Sequence, residues 1–89
     1  MLKQVEPKTA TGNLPAVKTT PKSPLRDTFA KNLRQFRAEL GWSQERLAHE
    51  SGLNRTYLSC VERSEQNISL DNVHRIATAL NVDSWKLLA

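Results

Sequence analysis

The chain has 89 residues and a formal net charge of +4, from 13 Lys and Arg against 9 Asp and Glu. That length holds one small domain and excludes a two-domain enzyme with an interdomain cleft. No apolar run approaches the ~20 residues of a membrane span, so neither membrane insertion nor a membrane partner is expected. The N-terminal MLKQVEPK lacks the apolar stretch of a secretory signal, which makes a cytoplasmic location the expectation. The single cysteine, Cys60, can form no internal disulfide and fits a reducing compartment.

Composition changes near residue 24. All four prolines (Pro7, Pro15, Pro21, Pro24) precede all five aromatics (Phe29, Phe36, Trp42, Tyr57, Trp85). Residues 1–26 carry five basic side chains against Glu6 alone, whereas residues 27–89 are balanced at eight of each sign. The excess positive charge therefore lies in the N-terminal segment. Its Thr/Pro/Lys punctuation and lack of apolar periodicity predict a disordered basic tail over residues 1–22 and a folded domain over 23–89. The tail either wraps phosphates or a minor groove, keeps the protein soluble, or offers a segment for a protein partner.

Five short helices are predicted in the remainder. Ser23 caps the first, with Pro24 where its missing N–H is harmless. Phe29, Leu33, Phe36 and Leu40 then form one apolar stripe, and Gly41 closes the helix. Ser43 caps a second helix over 44–51, with Leu47, Ala48 and Ser51 inward and Gly52 at its end. Asn54 caps a third, 55–63, with Leu58 and Val61 inward, Tyr57 partly covered and Leu53 stapled on Leu58. Ser69 caps a fourth with Val73, Ile76, Ala77 and Leu80 inward and Ile68 stapled on Val73. Asp83 starts a short fifth helix, 84–88. No segment alternates as a strand, so the fold class is all-α.

The informative stretch is SQERLAHESGLNRTYLSCVER, residues 43–63. Two helices joined by a tight Gly-Leu-Asn turn have the helix-turn-helix geometry. The second of the pair presents Arg55, Thr56, Ser59, Cys60 and Arg63 on a face without acids. Such a face suits a major groove, where Arg donates bidentately to guanine and the Thr methyl meets thymine. The alternative is a plain solvated face.

Residues 29–82 resemble the lambda/Cro-repressor type of five-helix DNA-binding domain, through FAKNLRQFRAELGWSQERLA, SGLNRTYLSCVER and ISLDNVHRIATALNV. Within it, NRTYLSCVER and the following QNIS are most similar to restriction–modification controller proteins. The resemblance implies base contacts from Arg55, Thr56, Ser59 and Cys60. It implies phosphate contacts from Gln44 and Asn54, with Gln44 alternatively bracing the start of the recognition helix. Arg63 either reaches a phosphate or solvates the helix end, and Asn67 is available for a phosphate. Arg37 and Glu62 match a structural ion pair of the repressors. The chain departs from the pattern at Ser64, where Gly or Asn is usual, and at Gln66, where controllers often carry Arg.

Other residues have plainer readings. Trp42, directly after Gly41, reads as core or staple and not as a base-stacking platform. One Cys and two distant histidines, His49 and His74, have no metal-ligand spacing, so neither metal nor other cofactor is expected. Cys60 as a redox sensor is the minor alternative to apolar base contact. No phosphate loop, carboxylate pair or activated nucleophile points to an enzyme.

Trp85, Leu87 and Leu88 crowd the last turn and cannot all enter so small a core. They predict a homodimer interface that sets two recognition helices about one DNA turn (~34 Å) apart. The function expected is a dimeric, sequence-specific regulator of transcription on double-stranded DNA with a near-palindromic operator. The alternative is an antitoxin or adaptor that chiefly holds a protein partner, with autoregulatory DNA binding.

Overall fold

A computed structural model describes residues 23–89 of the chain. The disordered tail expected over residues 1–22, and any partner segment within it, lies outside the described residues. Four α-helices follow in order: α1 Pro24–Leu40, α2 Gln44–Ser51, α3 Arg55–Glu62 and α4 Leu70–Leu80. A 3-10 turn, Ser84–Leu87, ends the order. Among the described residues every regular element is helical, and no helix is long and apolar enough to cross a membrane.

Local chemistry sets these boundaries. Ser23, Ser43, Asn54 and Ser69 each accept a backbone N–H of the first turn, from Leu25, Arg46, Tyr57 and Asn72 at 3.0–3.1 Å. Each such cap is worth about 1 kcal/mol to its helix. Gly41, Gly52 and Asn81 close α1, α2 and α4 in the left-handed conformation.

Helix α2 packs on α3 and α4, α1 on α3, and the 3-10 turn on both α1 and α4. Leu33, Leu47, Leu58, Ile76 and Leu87 at the centre of this arrangement are fully buried.

Three expectations need correction. The fifth helix is a single 3-10 turn, so the chain has four α-helices and not five. Asp83 makes no side-chain cap there, and four residues close only i→i+3 bonds, Lys86 N to Asp83 O and Leu88 N to Trp85 O, each 3.0 Å. The α1 stripe also stops short of Leu40, which is 47% exposed, while Ala30 is fully buried. The turn at Gly41, with Trp42 N bonded to Arg37 O at 3.1 Å, folds Trp42 against the core edge in its place. Leu87, finally, is 0% exposed in its own protomer. It belongs to the core and is not a surface available to a second copy.

After α3 the backbone turns at Ser64, which takes φ +62. The resemblance implies Gly or Asn at this position, the residue types that adopt left-handed geometry most readily. Ser64 is nearly buried, and its hydroxyl donates to Arg26 O at 3.4 Å. Ser64→Gly is expected to stay within about 1 kcal/mol of wild type, since relief of strain offsets lost contacts. Ser64→Val, β-branched at positive φ, is expected to lose about 1–3 kcal/mol. Chemical denaturation of the three proteins checks the order.

Candidate nucleic-acid interface

Helices α2 and α3, with the turn Gly52-Leu53-Asn54 between them, form the helix-turn-helix unit. Gly52 sits at φ +73, a conformation that a side chain would strain. Leu53, beside it, packs on the core cluster. On α3, Leu58 and Val61 point inward and Tyr57 is half-buried, its hydroxyl accepting from Asn72 Nδ2 at 3.2 Å. The opposite face therefore turns outward. Arg55 and Thr56 are exposed on its first turn, which holds no acidic residue.

Glu62 anchors the far end of α3. It is 2% exposed, and its carboxylate accepts from Arg37 Nε at 2.7 Å and Arg37 Nη2 at 2.9 Å. The ion pair implied by the resemblance is thus present, in bidentate form. The hydrogen bonds to Glu62 hold the Arg37 guanidinium above its ordinary value, against the opposing effect of burial. Arg37 Nη1 also donates to Trp42 O at 2.8 Å.

Gln44 Nε2 donates to Glu62 Oε1 at 2.9 Å. Its brace therefore reaches the last residue of α3 and not the first. Arg34 Nη1 donates to the Glu62 carbonyl. The last turn of α3 has no basic residue of its own, so α1 supplies the cation that suits a helix C-terminus.

The other predicted residues separate into groups. Asn54 is exposed and spends Oδ1 on its cap, leaving the Nδ2 donor unused by that bond. Ser59 and Cys60 are half-covered. Arg63 lies along them, Nη1 donating to Ser59 Oγ at 2.6 Å and Nη2 to Cys60 Sγ at 3.6 Å. Arg63 Nε donates to Glu65 Oε1 at 3.1 Å, and this bond raises the guanidinium above its ordinary value. Asn67 is exposed in the loop between α3 and α4 and borders an apolar groove.

That groove has a volume of about 240 Å³ and is lined by Leu25, Phe29, Ile68, Leu70, Val73 and Leu88 among others. Trp85 is 63% exposed, Leu88 37%, Leu70 81% and Leu25 55%. Leu25 and Leu70 continue the stripes of α1 and α4 by one turn, four residues before Phe29 and three before Val73, but the first turn carries them past the packed core. That spacing is the sequence signal for both.

Trp42 packs at the core edge, with the Arg46 guanidinium over its ring at 4.6 Å from the centroid. Arg46 also pairs with Glu50 at 3.1 Å. Among the described residues no three His, Cys, Asp or Glu side chains converge as a metal cluster would require.

Comparison with known proteins agrees with this geometry. A Helix-turn-helix family model matches residues 33–84, more than half of the chain. The chain belongs to that helix-turn-helix family.

It is 52% identical over 64 residues to a hypothetical transcription factor of Neisseria meningitidis serogroup B. That match covers 72% of this chain and 60% of the Neisseria protein, so it spans under two thirds of that relative's length. The chain is 45% identical over 65 residues to control protein C.BamHI of Bacillus amyloliquefaciens, covering 72% of this chain and 80% of that one. Among solved structures, the restriction–modification controller C.Esp1396I, as a tetramer with its natural 35 base-pair operator, superposes with a TM-score of 0.68. The identity is 32%, over 73% of this chain and 86% of that one.

Proposed function

We propose that this protein is a sequence-specific transcriptional regulator that binds a near-palindromic operator as a homodimer, with α3 in the major groove. The observation that carries the reading is the first turn of α3. Arg55 and Thr56 stand exposed on an acid-free turn, while the other end of the helix is clamped by Arg37, Gln44 and Arg34. A rigid helix with a free N-terminal turn can bring Arg55 to a guanine edge and the Thr56 methyl to thymine. Ser59 and Cys60 lie a turn further along the same face. The relatives, which include a controller held on its operator, support the same reading.

Phosphate contacts fall to Gln44 and Asn54 at the starts of α2 and α3, where unpaired backbone N–H groups also favour anions. Arg63 and Asn67 extend the contact past the end of α3. The second copy docks on the apolar face of Trp85 and Leu88, which Leu25 and Leu70 enlarge. A two-fold contact through this face would carry two α3 helices to successive major-groove turns, about 34 Å apart. No cofactor enters this reading.

Selection of sites from random DNA, followed by footprinting, tests it: a two-fold-related consensus is expected. Arg55→Ala should weaken binding to that consensus by about 1–3 kcal/mol and relax preference at one base position per half-site. Unchanged affinity and preference in Arg55→Ala would remove α3 from the groove.

A further inference from the structure

Arg63 is the cation nearest the base-reading groups at the end of α3, yet its guanidinium is turned onto its own chain. Three of its nitrogens are engaged, Nε on Glu65, Nη1 on Ser59 and Nη2 on Cys60. We propose that Glu65 is a positioning residue that parks Arg63 across the recognition helix and competes with DNA phosphate for it. The proposal rests on the DNA-binding reading above.

The backbone builds this arrangement. Ser64, at φ +62, turns the chain back toward α3, and Glu65 N donates to Cys60 O at 2.9 Å. The Glu65 carboxylate is thereby held beside the helix end. The other acidic residue there, Glu62, is committed to Arg37 and Gln44 and faces the interior. Arg63 and Glu65 are 53% and 55% exposed, so their pairing stays open to solvent and to a competing anion.

Consequences follow from charge. A free arginine that reaches a phosphate releases a condensed counterion and gains affinity for any DNA. A parked arginine exchanges one anion, the carboxylate, for another, so the net gain from that contact is small. The same movement uncovers Ser59 and Cys60. Glu65 thus lowers affinity for operator and random duplex alike, through Arg63 and not by its own repulsion of phosphate.

A double-mutant cycle in the full chain separates those two routes. Glu65→Gln, Arg63→Gln and the double variant are titrated with the selected operator and with a scrambled duplex across a salt series. Glu65→Gln is expected to bind both duplexes about two- to fivefold tighter, the range set by an exposed ion pair. Its log–log salt slope should steepen by up to about one counterion. In the Arg63→Gln background the same substitution should yield less than half that gain. Glu65→Ser, which also lacks the carboxylate, should reproduce the result.

An equal gain with and without Arg63, or no gain in either background, overturns the proposal and leaves the DNA-binding reading standing. A wild-type chain that selects no sequence and binds neither duplex overturns that reading itself.

Discussion

Arg37→Ala is expected to remove about 3–5 kcal/mol of stability, the cost of leaving the buried Glu62 carboxylate without its cation. Glu62 would keep Gln44 as a side-chain partner but lose both guanidinium bonds, at 2% exposure. The Trp42 carbonyl would lose its donor as well. For a domain of this size each kcal/mol moves the melting temperature by about 4–8 °C, so a fall above about 12 °C should appear in a thermal melt.

Replacing both partners by apolar residues, Arg37→Met with Glu62→Leu, should recover at least half of that loss, because no charge is then left buried. A single-mutant loss below about 1 kcal/mol would mean that the pair behaves as an exposed one. Because Glu62 is the last residue of α3, the same substitution loosens α3 from α1. DNA affinity should fall with it at temperatures where the variant is still folded.

Leu87→Ala is expected to cost about 2–5 kcal/mol, the range for truncating a fully buried leucine. Leu87 is 0% exposed between α1 and α4, whereas its neighbours Trp85 and Leu88 are open. Trp85→Ala and Leu88→Ala should instead leave the protomer folded and weaken self-association. Urea denaturation and sedimentation over a range of protein concentrations tell these effects apart. The Leu87→Ala loss should persist at every concentration, and the other two should act through the association constant. Should Leu87→Ala change only the association constant, the turn must detach from the core and present Leu87 to a partner.

Asn32 adds to this partition. Its Nδ2 donates to the carbonyls of Leu87 and Ala89, each at 3.0 Å, and so ties the 3-10 turn to α1. Nothing in the local sequence around Asn32 announces that role, since its acceptors lie 55 and 57 residues away. The display of Trp85 and Leu88 on the outside depends on this tie and on Leu87 filling the inside.

The recognition unit was legible in the sequence because its determinants are local. Ser43, Gly52 and Asn54 satisfy backbone groups within a turn of themselves. The inward pairs Leu47 and Ala48, then Leu58 and Val61, follow the helical period. The outward set Arg55 and Thr56 is the complement of that stripe. For Arg63 the local sequence allows either a phosphate contact or solvation of the helix end. Its engagement by Glu65 depends on the left-handed turn at Ser64, a backbone choice that the residue type disfavours and that the surrounding fold imposes.

The net charge of +4 divides the same way. By count, residues 27–89 are neutral. Caps, helical period and charge balance follow from the sequence alone, because each rests on neighbours within about a turn or on a simple count.

Only the tertiary structure decided which polar side chains are spent internally. It commits Arg37 to Glu62 across 25 residues and Gln44 to Glu62 across 18, and leaves Arg55 exposed. It also sends Leu87 inward and Leu88 outward from a four-residue turn too short to carry a helical stripe. The physical reason is one of range. A backbone hydrogen bond or an apolar period is determined by adjacent residues, whereas the partner of a buried charge is whichever side chain the packed helices bring within 3 Å.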